Sequence, residues 1–286
     1  MGFLHDMLRR LPWPLLVLGG MLIVYAMLLK VYLVPTTGGT DQNGYHVSAR
    51  MFNLNGVFYQ KTADDLQFVG SMWVVNERGE YYPKYPPLYP LLAAGMNRLM
   101  GPGGGFYATL WGAILAAAGM YVLARRFVGE WYGVLGAGLV MLCPVFTALG
   151  ITRNSHTPSV ALLVWGMAAV IYGATARRRL CQWLLPFAGG VLIAYTTGIR
   201  YTDFLMIFVP AAFAVLFTRG ARRWRVLAAL AAGAAVPFCV LALFLWQAYG
   251  APWRTGYSLT DESSSFELRF VWDNLLIYLP EFFMLV

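Results

Sequence analysis

Charge is scarce in this chain. Only 12% of its residues are Asp, Glu, Lys or Arg, about half the share usual in soluble domains, whereas 59% are hydrophobic. A soluble core built from 286 residues cannot hide that much apolar surface, because the buried fraction saturates with size. Cysteine is scarce as well. Cys143, Cys181 and Cys239 lie inside or at the edge of apolar stretches without metal-ligand spacing, which argues against a disulfide framework and a zinc site. The sequence holds no Walker motif, no Rossmann fingerprint, no G-x-S-x-G and no paired-histidine motif. ATP-driven transport, nicotinamide redox chemistry and the familiar serine-hydrolase plan are therefore unsupported. Few charges interrupt the apolar runs, so the acid relay of an ion-coupled transporter is missing, and no inverted repeat is evident.

What the chain has in abundance is long apolar runs. Stretches near 12–34, 106–124, 131–150, 158–176, 184–199, 204–218 and 226–249 approach the roughly 20 residues a helix needs to cross the hydrocarbon layer. An eighth, from Phe270 to Val286, ends within its run and reads as a truncated chain or an interfacial helix. Met1 to Arg10 resembles a signal-peptide n-region, but the following run is long and lacks a small-residue cleavage site, so it reads as an uncleaved span. The expectation is an all-α polytopic membrane protein with about 7–8 transmembrane helices.

Arginine in the short loops orients the spans. With a cytoplasmic N-terminus, the inner side holds Arg9, Arg10, Arg125, Arg126, Arg177, Arg178, Arg179, Arg219, Arg222, Arg223 and Arg225. Only Asp6 and Glu130 accompany these eleven, a net +9, and the ten basic and eleven acidic residues elsewhere leave the outer side at −1. The overall charge of +8 is thus a topology signal, and nucleic acid is not an expected partner.

The first outer loop, 35–105, is far longer than an ordinary connection and rich in aromatic residues, which marks a folded outward element. Ser71–Val75 and Glu80–Tyr85 flank Asn76-Glu77-Arg78-Gly79, a small-hairpin pattern. Then Pro86-Pro87 opens a run in which Leu88, Leu91, Leu92, Met96 and Leu99 share one helical face, as in an amphipathic helix lying in the outer interface.

Polar groups near span ends are the candidates for chemistry. Asp41 follows the flexible Thr36-Thr37-Gly38-Gly39-Thr40 and is placed to cap a helix over 42–54, to act as a catalytic carboxylate, or both. Lys84 either snorkels to headgroups or binds a lipid phosphate as a mobile point charge. In the turn Ile151–Pro158, Ser155 or Thr157 would cap the next span while Arg153 meets headgroups. The sharper reading pairs Arg153 with a phosphate and gives His156 a bond to it or a metal. Arg200 and Asp203 are spaced for a local ion pair, yet Arg200 is also the third cation at this rim, where charges are costly. Trp253, Arg254 and Tyr257 sit in a turn-rich loop that serves as an aromatic anchor or a sugar-stacking platform.

These features together resemble the GT-C superfamily of membrane glycosyltransferases. The carriers of the likeness are a carboxylate just beyond the first span, the run Lys84-Tyr85-Pro86-Pro87-Leu88-Tyr89-Pro90-Leu91-Leu92, the hairpin before it, and Tyr249 to Tyr257. The bacterial branch related to protein O-mannosyltransferases and the lipid A aminoarabinose transferase is the most similar. The resemblance implies one transmembrane domain over 1–286, with the loop 35–105 as its catalytic element and the family's C-terminal part missing. It also implies inverting transfer of a sugar from a polyprenyl-phosphate donor to an acceptor outside a bacterial inner membrane. By that resemblance Asp41 is the general base, and Lys84, Arg153 and Arg200 hold the donor phosphate. Tyr45, His46, Tyr85, Pro86, Pro87, His156, Tyr201, Asp203, Trp253, Arg254 and Tyr257 are the candidate substrate-binding residues around them. Relatives often have Asp-Glu at the first motif, but here Gln42 follows Asp41, and the turn at Arg153 is not acidic. Transfer without a metal cofactor is therefore expected, with His156 the residue that would overturn this. Membrane lipids are expected partners. The rival classes are a translocator of lipid-linked sugar and a non-catalytic membrane scaffold.

Overall fold

A computed structural model describes residues 12–61, 72–260 and 269–285, with the side chains of Arg269, Asp273 and 281–285 left aside. Expectations that fall on Met1–Arg10, on Ser71 and on Val286 lie outside the described residues. The chain forms two compact units, one of residues 1–58 and 86–241, the other of 59–85 and 242–286.

The first unit opens with α1 (Trp13–Tyr32) and α2 (Thr40–Asn55), then α3 (Leu88–Met100) and, after a short 3-10 turn at Gly104–Phe106, α4 (Tyr107–Val128). α5 (Glu130–Leu142), α6 (Pro144–Ile151), α7 (His156–Thr175) and α8 (Arg179–Thr197) follow. A 3-10 segment, Tyr201–Ile207, leads into α9 (Phe208–Phe217), and α10 (Gly220–Tyr249) belongs to this unit as far as Leu241. α1 buries only 17% of its apolar window and turns Ile23, Val24, Met27 and Val31 outward, as a lipid-facing span should. Its other side, Leu18, Tyr25 and Leu29, packs with Leu110, Ala113 and Tyr121 of α4 and with Val134 and Ala137 of α5.

Helices α7 and α8 approach at Gly166 and Gly189, where a side chain on Gly189 would start 2.6 Å from the Gly166 carbonyl oxygen. Small residues of this kind let backbones meet where no hydrophobic effect drives helices together.

Among the described residues, five helices are long and apolar enough to cross a membrane, six when the bent pair α5–α6 is taken as one span. The chain is an all-α polytopic membrane protein, and five or six such helices are described where seven or eight spans were expected. Two local effects account for the difference. The run expected over 131–150 breaks at Cys143–Pro144 with a bend of 64°, because proline cannot continue the hydrogen-bond ladder. Thr147 recovers one freed carbonyl by donating its hydroxyl to the Met141 oxygen at 3.0 Å. The run over 204–218 begins as the 3-10 segment, which leaves ten residues of α-helix.

α3 buries the face of its small residues, and of the expected leucine face only Leu88 is buried with them. Tyr89, Pro90, Ala93, Ala94 and Asn97 are buried, Ala93 and Ala94 against Ala49 of α2, whereas Leu99 is 83% exposed. The small residues set the close α2–α3 packing, and the larger side chains Leu92 and Met96 are left to line a groove.

In the second unit, β1 (Trp73–Val75) and β2 (Tyr81–Pro83) pair antiparallel with Val74 opposite Tyr82. The strands are shorter than expected, since Pro83 has no N–H to extend the ladder. Gly79 adopts φ +70° in the turn, and Asn76 Oδ1 accepts from the Arg78 and Glu80 amides, both at 3.0 Å. The Tyr249 hydroxyl donates to the Pro83 carbonyl at 2.7 Å, and the unit ends with α11 (Arg269–Leu285).

Candidate functional site

The turn before α7 is built by Asn154. Its Nδ2 donates to the Leu149 and Thr152 carbonyls at 2.9 and 3.2 Å, and its Oδ1 accepts the His156 amide at 3.0 Å. Asn154 therefore does the capping expected of Ser155 or Thr157. Ser155 instead accepts from the Tyr45 hydroxyl at 3.3 Å, and Thr157 donates to the Thr109 carbonyl at 2.8 Å.

This turn directs Arg153 inward, so the residue does not meet headgroups. Its exposure is 1%, and its guanidinium lies 4.6 Å from the centroid of the Phe106 ring. Nη1 reaches His46 Nδ1 at 2.5 Å, whereas Nε and Nη2 are buried without a hydrogen bond of ordinary geometry among the described residues. Burying a cation without a carboxylate costs on the order of several kcal/mol, of which a ring face returns about 2 kcal/mol. Burial pulls the Arg153 pKa down and the adjacent Tyr89 hydroxyl opposes this.

Asp41 lies in the first turn of α2, not at its N-cap, which is Gly39. The helix starts two residues earlier than the capping pattern implied, and the exposed carboxylate sits where the helix dipole favours negative charge. Asp41 and Arg200 both exert their charge on Tyr45 and on the His156 ring. Residues from α2, from the start of α7 and from the turn after α8 thus share one polar neighbourhood. Asp203 belongs with them: Arg200 Nε is 3.8 Å from Asp203 Oδ1, a loose ion pair, and Ser159 donates a short hydrogen bond to Asp203 Oδ2. Burial raises the Asp203 pKa, while the Ser159 bond and Arg200 restrain the rise. Tyr201 opens the 3-10 segment that carries Asp203.

An apolar groove of about 580 Å³ is lined by Leu92 and Met96 of α3, Trp111 and Leu115 of α4, Pro158 and Leu162 of α7 and Leu192 of α8. Pro158 is two residues along the helix from His156. Pro87 caps α3, and the Leu88 amide donates to the Gly198 carbonyl at 2.8 Å, tying the start of the motif run to the turn that bears Arg200.

In the second unit Lys84 is 3% exposed, its ammonium 5.7 Å from the Tyr85 ring centroid and 5.6 Å from that of Tyr257. It does not snorkel. Its amide donates to the Met72 carbonyl at 3.0 Å, and Gly256 packs directly on its backbone. Tyr85 donates to Met72 Sδ at 2.9 Å. Arg254 Nη1 reaches the Tyr249 carbonyl at 3.4 Å, and Trp253 is 82% exposed.

Sequence reading missed Tyr89, Phe106, Gly105 and Ser159, which shape the surroundings of Arg153 and Asp203. It also missed Arg50, Asn53, Asn97 and Arg98. The available signals were Arg50, four residues after His46, and the polar pair Asn97-Arg98 late in an apolar helix. Among the described residues no three of His, Cys, Asp and Glu come together as metal ligands would.

Apolar helices, a polar cluster at the start of α7 and an adjoining apolar groove define a multi-pass membrane protein suited to an amphiphilic substrate. A family model, dolichyl-phosphate-mannose-protein mannosyltransferase, matches residues 84–246, more than half the chain. The chain belongs to that family and is a membrane glycosyltransferase of GT-C type. Comparisons with curated proteins and with solved structures give no match.

Proposed function

We propose that this glycosyltransferase moves a sugar from a polyprenyl-phosphate donor to an acceptor hydroxyl on the outer face of a bacterial inner membrane, with inversion and without a metal cofactor. The observation that carries this reading is the shared neighbourhood of Asp41, His156 and Arg200 on three separate elements. A carboxylate and a cation acting on the same ring provide one group to take a proton and another to receive phosphate charge.

In this reading Asp41, exposed at the start of α2, accepts the proton of the acceptor hydroxyl as its oxygen attacks the anomeric carbon. Arg200 meets the departing polyprenyl phosphate. Arg153, too deep to touch it freely, acts through its field and through the groups it positions. Lys84 keeps the phosphate role that the family resemblance gives it. Tyr45 and His156 line the reacting region, Asp203 holds Arg200, and the groove of Leu92, Trp111 and Leu162 supplies an apolar seat for a lipid chain.

The test is Asp41→Asn in the purified full chain, supplied with a polyprenyl-phosphate sugar and membranes. Transfer should fall by about 10²-fold or more, with donor binding within a few-fold of the parent. Undiminished transfer would remove Asp41 from the mechanism. Transbilayer movement of labelled lipid without product would favour the translocator.

A further inference from the structure

A cavity of about 520 Å³ opens between α2 and α3, lined by His46, Arg50, Asn53, Asn97 and Arg98. Its chemistry is one-sided: among the described residues its walls have two guanidinium groups and no carboxylate. The orientation of each polar wall group can be read from its hydrogen bonds. Asn97 Oδ1 accepts the Gly105 amide at 2.7 Å, which leaves its Nδ2 as the unused end. Asn53 Oδ1 accepts from Arg98 Nε at 3.2 Å, with the same result. His46 Nδ1 lies 2.5 Å from Arg153 Nη1, and a guanidinium can only donate, so Nδ1 is the acceptor and the ring proton sits on Nε2. Each side-chain acceptor of the wall already holds a donor, and the side-chain groups without a partner are donors.

Arg98 is held in place by the Asn53 bond and by the Phe52 face, 5.5 Å from its guanidinium carbon. Arg50 is exposed and forms no ion pair among the described residues. Behind the wall, Arg153 keeps two buried nitrogens without ordinary partners and forms no ion pair among the described residues, so its charge adds to the positive potential. Leu54 at 74% exposure, Leu99 at 83% and Met100 at 49% stand near the polar lining on the same two helices. Donors beside exposed apolar side chains on helices of interfacial character match a phosphate ester whose other end lies in lipid.

We infer that this cavity is a binding site for a phosphate ester, separate from the donor-phosphate residues Lys84 and Arg200, with Arg50, Arg98, His46 and Asn97 as its donors. The shared chemistry is the phosphate; an anionic phospholipid and a soluble phosphate compound are its two sources. The inference needs only the geometry of α2 and α3 and stands apart from the role proposed for Asp41.

The experiment uses the full chain in a neutral detergent and native mass spectrometry of bound phosphatidylglycerol, with phosphatidylcholine as the zwitterionic control. Phosphatidylglycerol should bind the parent about tenfold or more tightly than Arg50→Gln/Arg98→Gln, with phosphatidylcholine binding unchanged. Arg50→Lys/Arg98→Lys should retain much of the preference, which separates lost charge from lost folding, and a matching melting temperature supports the same separation. Inorganic-phosphate adducts on the parent that Arg50→Gln/Arg98→Gln lacks, with no preference for phosphatidylglycerol over phosphatidylcholine, would identify the soluble source. Equal binding of both lipids by the parent and the Gln variant, or binding of neither, with no phosphate adducts particular to the parent, would overturn the site.

Discussion

Arg153 Nη1 and His46 Nδ1 meet at 2.5 Å although 107 residues separate them in sequence. Because arginine is always a donor, this contact fixes one tautomer of the histidine and disfavours its protonation. Burial, Arg153 and Arg50 all lower the His46 pKa below its ordinary value of 6.5.

Stability should therefore depend on pH through His46. Below about pH 6.5 the unfolded chain takes up a proton that the folded imidazole refuses, so stability is full above that value and declines as pH falls towards the folded pKa. Melting temperatures between pH 7.5 and 5.5 should show this decline, and His46→Gln should flatten it. An unchanged slope in the variant would assign the dependence to other groups.

Arg153→Met should dissociate stability from function. Replacing a buried cation that has no carboxylate partner among the described residues with an apolar side chain of similar length is expected to leave the melting temperature equal or higher. Transfer should nonetheless drop by about tenfold or more if the interior potential matters. A large loss of stability with intact transfer per folded molecule would reverse this assignment.

Gly105→Ala tests the packing around the same guanidinium. The added Cβ would lie 2.7 Å from Arg153 Nη2 and 3.1 Å from both the Ala93 carbonyl and Asn97 Oδ1. A destabilisation of about 1–3 kcal/mol is expected. Combining it with Arg153→Met should recover part of that loss, because the flexible thioether can yield. Simple additivity of the two changes would indicate that the backbone clash dominates.

Lys84→Ala should weaken donor binding by about tenfold, with Lys84→Arg recovering only part because the Tyr85 and Tyr257 faces enclose a compact ammonium. A normal donor affinity in Lys84→Ala would leave the lysine a packing role.

Chelation should not abolish transfer. Product formation after exhaustive treatment with EDTA is expected to match the untreated enzyme, because Gln42 follows Asp41 and the turn at Arg153 brings no second carboxylate to a divalent cation. Loss of activity restored by a divalent cation would instead direct attention to His156.

The sequence by itself determined the helical membrane class, the hairpin around Asn76–Gly79 and the presence of charged groups at span ends. Those features are local: a run of apolar residues must leave water, and a glycine with positive φ closes a turn, whatever the rest of the chain does. Only the tertiary structure decided what the charges touch. Arg153 read as either a headgroup contact or a phosphate partner because spacing places it beside a span end, but burial against Phe106 and His46 depends on a turn and a helix distant in sequence. The apolar spacing of α3 marked a leucine face towards the membrane, but what covers its other side was decided by the close fit of Ala93 and Ala94 on α2. That fit also brought Arg98 near His46 and Arg50. Hydrophobic pattern sets which segments are helices, and side-chain volume at close approach then decides which faces and which charges meet.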